Sequence, residues 1–155
     1  MDTKLRELGI ELPPVAPSAG NFLPYVISGN HLYLSGKGMP RRDLPPGSRV
    51  PKVGREISPQ EANAHAREIA IYFLALIKAA LGDFDRVARV VKVLGMVNAV
   101  EDFTEHTEVI NGCSDLLVQV FGAKGQHARS AVGVGSLPKG FAVEIEAIVE
   151  ISTPK

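Results

Sequence analysis

The segment Phe141 to Ile151 constrains the fold more than any other. Phe141, Val143, Ile145, Ala147, Val149 and Ile151 alternate with Ala142, Glu144, Glu146, Ile148 and Glu150. A period of two is the mark of a strand with one face on a core. A sheet is therefore required, and its other face is largely acidic here. Two further segments supply what covers the apolar face. Ser58-Pro59-Gln60-Glu61 reads as a helix start, with Ser as N-cap, Pro at the first helical position and Glu placed to complete a capping box. Ala62, Ala66, Ile69, Phe73, Leu76, Ile77 and Ala80 then recur at three- and four-residue spacing up to Gly82, which predicts a long amphipathic helix. Asp102 and Glu105 repeat the capping-box spacing. Val109, Cys113, Leu116, Leu117, Val120 and Phe121 mark a second helix, ended by Gly122.

Between the helices, Arg86 to Asn98 is rich in β-branched residues and apolar on both faces, which predicts a strand in the interior of the sheet. Val26 to Ser28 and His31 to Ser35 flank Gly29-Asn30 and predict a hairpin. Lys4 to Gly9 predicts a short helix ahead of the proline-bearing connector Leu12 to Ala19. Arg129 to Leu137 and Phe141 to Ile151 flank Pro138-Lys139-Gly140, which predicts a second hairpin. The order strand, strand, helix, strand, helix, strand, strand gives an α+β sandwich, a mixed sheet with two helices packed on one face. Gly133 and Gly135 leave one side of their strand nearly bare, as a subunit interface or a ligand site requires.

With 155 residues, 45% of them hydrophobic and 22% charged, the chain is expected to be one domain over residues 1–155, with residues 1–20 as an N-terminal extension. Lys and Arg total 17 and so do Asp and Glu, so a nucleic-acid partner would need a local basic patch. Residues 39–55 are the one place for it: a proline-rich loop with Arg41, Arg42, Arg49, Lys52 and Arg55 against Asp43. It is either a solvated loop or a basic lip for an anion. The aromatic fraction of 6% and the absence of Trp argue against a base-stacking platform. Neither a secretory leader nor a run of membrane-spanning length is expected, and Cys113 is the only cysteine. The cytoplasm is the expected compartment.

Arg129 opens a strand after Gly125-Gln126-His127, where a guanidinium can grip a carboxylate with two parallel hydrogen bonds. Glu144 lies on the less apolar face of the following strand, within reach across the expected hairpin. The pair reads either as a structural ion pair at a subunit contact or as a minimal hydrolytic site, the Arg fixing a substrate and the Glu a water. His31, His65, His106 and His127 are scattered without ligand spacing, so no metal is expected. Cys113 falls on an apolar helix stripe, as a buried inert thiol does. No nucleophile elbow or glycine-rich phosphate loop is present.

From Ala128-Arg129-Ser130-Ala131-Val132 through Leu137-Pro138-Lys139 to Val143-Glu144-Ile145-Glu146-Ala147, the sequence resembles the Rid family of reactive intermediate deaminases, also known as YjgF-like or L-PSP endoribonucleases. Ser35-Gly36, Val53-Gly54 and Asp102-Phe103 extend the likeness, which covers about Phe22 to Ile151. The resemblance implies a chorismate-mutase-like α+β subunit, a homotrimer with clefts between subunits, and no cofactor. It implies hydrolysis of enamines and imines such as 2-aminoacrylate and 2-iminopropionate to a 2-keto acid and ammonia. By position, Arg129 matches the arginine that holds the substrate carboxylate, and Glu144 the glutamate that positions or activates water. Asn111 matches an asparagine lining the cleft, and Gly36 and Ala131 match positions whose backbone faces the ligand. Phe22 stands where the family carries an aromatic hydroxyl, with Tyr25 nearby, and Lys37 stands where Gln often follows Ser-Gly. The same likeness leaves two alternatives to a deaminase: a non-catalytic regulatory trimer that binds small carboxylates, and an endoribonuclease.

Overall fold

The structure, a computed structural model, describes residues 2–18, 20–39 and 44–153. Strands β1 (Tyr25–Ser28) and β2 (His31–Gly38) form the expected hairpin, with Gly29 at φ 60° in the turn. The first long helix, α2 (Pro59–Leu81), follows the short α1 (Asp2–Glu7), and Ser58 caps it by accepting the Glu61 N–H at 3.1 Å. Gly82, at φ 76°, ends it. Strand β3 (Val87–Val97), helix α3 (His106–Phe121), β4 (Ala128–Gly133) and β5 (Val143–Ile151) complete a five-stranded sheet in the order β1-β2-β5-β3-β4. β4 runs parallel to β3, and the other pairings are antiparallel. This is the mixed α+β sheet that the sequence predicts, with β3 in its interior.

Both long helices lie on one face. Their buried residues, among them Phe73, Leu74, Ile77, Ile110 and Leu116, meet Val90, Val93, Ile145 and Val149 of the sheet in one core. Each such side chain contributes about 1.5–3 kcal/mol through removal from water. The helices come closest at Gly112, where any Cβ would collide with the Asn63 carbonyl oxygen. Asn63 Nδ2 fastens the crossing by donating to the Glu108 carbonyl at 2.7 Å. The opposite face of the sheet has no helix and exposes Val26, Tyr33 and Val132 beside Glu146.

Two local expectations are corrected. β4 and β5 do not form a hairpin, because β3 lies between them. Helix α3 serves as the crossover that a parallel β3–β4 pair requires, and β5 already occupies the other edge of β3. β4 accordingly ends at Gly133 rather than Leu137, and Pro138–Gly140 is a 3-10 turn with Lys139 at φ 52°. The second capping box is also absent: α3 starts at His106, and its N-cap, Glu105, makes no side-chain capping bond. A tight turn, Phe103 N–H to Val100 O at 3.1 Å, occupies the segment that the box would have used.

The basic loop is held from within. Glu56 accepts from Arg49 at 2.9 Å, from Arg55 at 2.6 Å and from the Lys52 N–H at 3.1 Å. The Arg55 guanidinium above all holds the Glu56 carboxyl down at about 2. Lys52 Nζ donates to the Gly135 carbonyl at 2.7 Å. Arg41 and Arg42 lie outside the described residues. Among the described residues no helix is long and apolar enough to cross a membrane.

Candidate functional site

The residues singled out from the sequence fall into two groups on either side of β3, one at β2 and β5 and the other at β4 and α3. The first surrounds a cavity of about 390 Å³ lined by Phe22, Gly36, Glu144 and others. β1 pairs with β2 as far as Leu34, and the Ser35 N–H still reaches the Pro24 carbonyl at 3.0 Å, so among the described residues the open sheet edge is Gly36 to Gly38, at a bulge between Leu34 and Lys37. Ser35 Oγ donates to the Leu23 carbonyl at 2.5 Å and ties the approach to β1 onto this edge. Glu144 is opposite Gly38 in register, and its carboxyl lies against the Gly36 backbone, where a Cβ would be 2.7 Å from Oε2. Burial, and then the neighbouring Glu146, push the Glu144 carboxyl above the ordinary range of a glutamate.

Phe22 lines this cavity but brings no hydroxyl, and Tyr25 is packed against the core instead of replacing it. The phenol that does reach the cavity is Tyr72 of α2. Its hydroxyl accepts the Ala16 N–H at 3.3 Å, and Lys37 Nζ sits 4.2 Å from its ring centroid. The N-terminal segment Ala16-Pro17-Ser18 thereby forms one wall. Tyr72 escaped the sequence reading because it sits one residue off the apolar stripe of its helix, and nothing in the spacing separates it from a packing aromatic.

The second group is at the β4 edge. Arg129 pairs with Val93, whose side chain faces the helices, so Arg129 turns the same way and meets α3. Its Nη1 donates to Asn111 Oδ1 at 2.9 Å and to Ser114 Oγ at 3.1 Å. The Nε–Nη2 edge of Arg129 and the Nδ2 of Asn111 have no acceptor among the described residues. Donors in this arrangement suit a carboxylate. Ala131 follows two residues along the same face of β4. Behind the arginine, His127 Nε2 lies 2.9 Å from Ser114 Oγ, and His127 Nδ1 lies 2.6 Å from the Gly125 carbonyl. Ser114 was not visible as a site residue, although its three-residue spacing from Asn111 puts both on one helix face.

Arg129 and Glu144 do not meet within the chain. Glu144 pairs with Met96 where Arg129 pairs with Val93, and β3 stands between their strands. Two strand spacings of ~4.8 Å and three residues at ~3.3 Å put their Cα atoms about 14 Å apart, with side chains on opposite faces of the sheet. The structural ion pair is thus not formed within one chain. Of the two bare glycines, Gly133 is in close contact with His106, whose Nε2 would lie 2.7 Å from a Cβ there, while Gly135 faces open space. Burial pushes the Cys113 thiol up to about 12, so it has no thiolate to offer at neutral pH. Among the described residues no group of three His, Cys, Asp or Glu side chains is placed to hold a metal ion.

Residues 2–140 match the family profile described as "YjgF/chorismate_mutase-like, putative endoribonuclease". Protein TCP17 of Trypanosoma cruzi is 46% identical over 149 residues, which cover 96% of this chain and 92% of that protein. The crystal structure of Atu1372, a protein of unknown function from Agrobacterium tumefaciens, superimposes with a TM-score of 0.84 at 43% identity, covering 97% of this chain and 92% of that one. That of an endoribonuclease, so named provisionally, from Shewanella oneidensis does so with a TM-score of 0.85 at 28% identity, covering 97% and 98%. The profile takes in all three helices and the first four strands, and the two superpositions extend the likeness over nearly the whole fold: the chain belongs to the YjgF/chorismate-mutase-like family.

Proposed function

We propose that the protein is an imine and enamine deaminase whose cleft forms between adjacent subunits of a homotrimer. The observation that carries this reading is the division of the site. Arg129 is on the edge strand β4 and, with Asn111 of α3, on the helix side of the sheet, whereas Glu144 is on the central strand β5, beyond β3, on the opposite face. A closed ring of three copies joins the β4 edge of each subunit to the β2 edge of the next and completes three clefts. The helix-free sheet face, where Val26, Tyr33 and Val132 are exposed among charged residues such as Glu146, is what such packing would cover.

In this cleft Arg129 and Asn111 hold the carboxylate of a 2-imino acid. Glu144 of the neighbouring copy takes a proton from water as the oxygen attacks the C=N carbon and returns it to the nitrogen, giving a neutral carbinolamine. Glu144 then takes the carbinolamine hydroxyl proton and passes it to the amino nitrogen as the C–N bond breaks, which expels ammonia and leaves the 2-keto acid. The imine is already electrophilic, so positioning and proton transfer suffice. Burial raises the pKa of Glu144, so it holds a proton more tightly than an ordinary carboxylate, which suits a group that must both accept and return one. The cavity beside Glu144 is lined mainly by apolar groups, including Leu76, Phe141 and Phe22, and its 390 Å³ exceeds what the methyl of 2-iminopropionate needs. This supports substrates with longer apolar side chains. Among the described residues of the loop, Arg49 and Arg55 are already paired with Glu56, so they lend no support to an RNA-cleaving role.

The test is the decay of freshly generated 2-imino acids, trapped with semicarbazide, with wild type and Arg129→Ala. Acceleration by wild type alone, greater for a branched or aromatic side chain than for 2-iminopropionate, is the expected result. Equal acceleration by both proteins refutes the arginine's role. Carboxylate binding without acceleration points to the regulatory trimer instead.

A further inference from the structure

The hydrogen bonds behind Arg129 have a direction. A carbonyl oxygen only accepts, so the 2.6 Å contact to Gly125 O places the proton of a neutral His127 on Nδ1. Nε2 is then an acceptor, and at 2.9 Å it takes the Ser114 hydroxyl proton. With its proton committed, Ser114 Oγ presents lone pairs to Arg129 Nη1 at 3.1 Å, while Asn111 Oδ1 takes the other Nη1 proton at 2.9 Å. Burial above all, helped by the charge of Arg129, outweighs the opposing Gly125 hydrogen bond and favours the neutral imidazole that this order of donors needs.

We infer that Gly125 O, His127 and Ser114 form a positioning relay that locks the arginine with its Nε–Nη2 edge directed to the substrate carboxylate. The inference rests on the carboxylate-binding reading of Arg129 and assigns roles to two residues that do not touch substrate. A free arginine loses much of its rotamer freedom when its side chain is fixed. The relay meets that cost during folding, so each carboxylate meets an arginine already in place. The relay is a device for affinity, and its loss acts on KM and on carboxylate binding before it acts on kcat.

The test measures KM and kcat for a 2-imino acid, and Kd for the corresponding 2-keto acid by calorimetry, in the intact oligomer. Ser114→Ala is expected to raise KM and Kd roughly tenfold, the size of one hydrogen bond to a charged group, with kcat within about twofold. His127→Leu keeps the bulk but removes the acceptor and is expected to raise both about three- to tenfold. His127→Gln can return an acceptor at the Nε2 position and is expected to restore them. If Arg129→Ala loses binding while Ser114→Ala and His127→Leu bind as wild type does, the relay is refuted and the arginine's role stands. Failure of Gln to do better than Leu also refutes it. If Arg129→Ala binds normally, or wild type binds no 2-keto acid, the carboxylate reading fails and the relay falls with it.

Discussion

Two inactive variants should restore each other when mixed. Arg129→Ala removes the guanidinium at the β4 edge and Glu144→Gln removes the carboxylate beside β2, two positions that one chain keeps about 14 Å apart on opposite faces. In the proposed ring of three, each cleft would take its arginine from one copy and its glutamate from the next. A cleft is intact when a Glu144→Gln subunit supplies the arginine and an Arg129→Ala subunit supplies the glutamate. Equal random mixing makes each condition true half the time, so about a quarter of the clefts are whole. Every mixed ring has one intact cleft in three, so trimers purified through two different tags should carry about one third of wild-type activity. The assay is imine decay after joint refolding from denaturant, with each variant refolded alone as the baseline. Two-tag trimers no more active than that baseline would show that Arg129 and Glu144 do not act across a boundary.

Four further outcomes are expected. In the proposed reaction Glu144 works as a carboxylate, and its pKa is raised, so kcat/KM should climb with pH along an acid limb lying above 4.5, and Glu144→Gln should remove the limb and lower the rate about 10²–10⁴-fold. Because the folded protein holds that proton more tightly than the unfolded chain, the same group costs stability as pH rises from 4.5 through its folded pKa. Thermal melts of Glu144→Gln should therefore gain on wild type across that interval. Ser58→Ala deletes the bond to the Glu61 N–H and should cost about 1 kcal/mol, a fall of about 3 °C in Tm by calorimetry, with activity unchanged. Cys113, fully buried with its thiol pushed to about 12, should resist a thiol reagent at pH 8 until denaturant is added, and labelling of the native protein at the rate of a free cysteine would refute its burial.

The parts of the fold legible in the sequence were those governed by local periodicity. The 3.6-residue stripe between Ser58 and Gly82 and the alternation of Phe141 to Ile151 each name one element and one buried face. The β4–β5 hairpin failed because a turn signal, Pro138-Lys139-Gly140, reports only that the chain bends there. Which strand it bends toward depends on α3 having already committed β4 to a parallel place beside β3, which is non-local information. Arg129 and Glu144 are legible as candidates from residue type and position, and Asn111, Gly36, Ala131 and Phe22 only through a resemblance, while spacing alone suggests the wrong geometry, with Arg129 and Glu144 as neighbours across that hairpin. Tyr72 and Ser114 stayed hidden because a helix position with a polar atom looks the same whether it meets water, a strap such as Ala16 or an arginine.

The central claim is that one carboxylate-bearing substrate is held by residues of two copies of the chain. A crystal structure of the protein with a 2-keto acid product bound tests it directly. The account predicts the carboxylate on the Nε–Nη2 edge of Arg129 and on Asn111 of one subunit, with Glu144 of the adjacent subunit facing the keto carbon. A product bound by one subunit alone, away from Arg129, would contradict it.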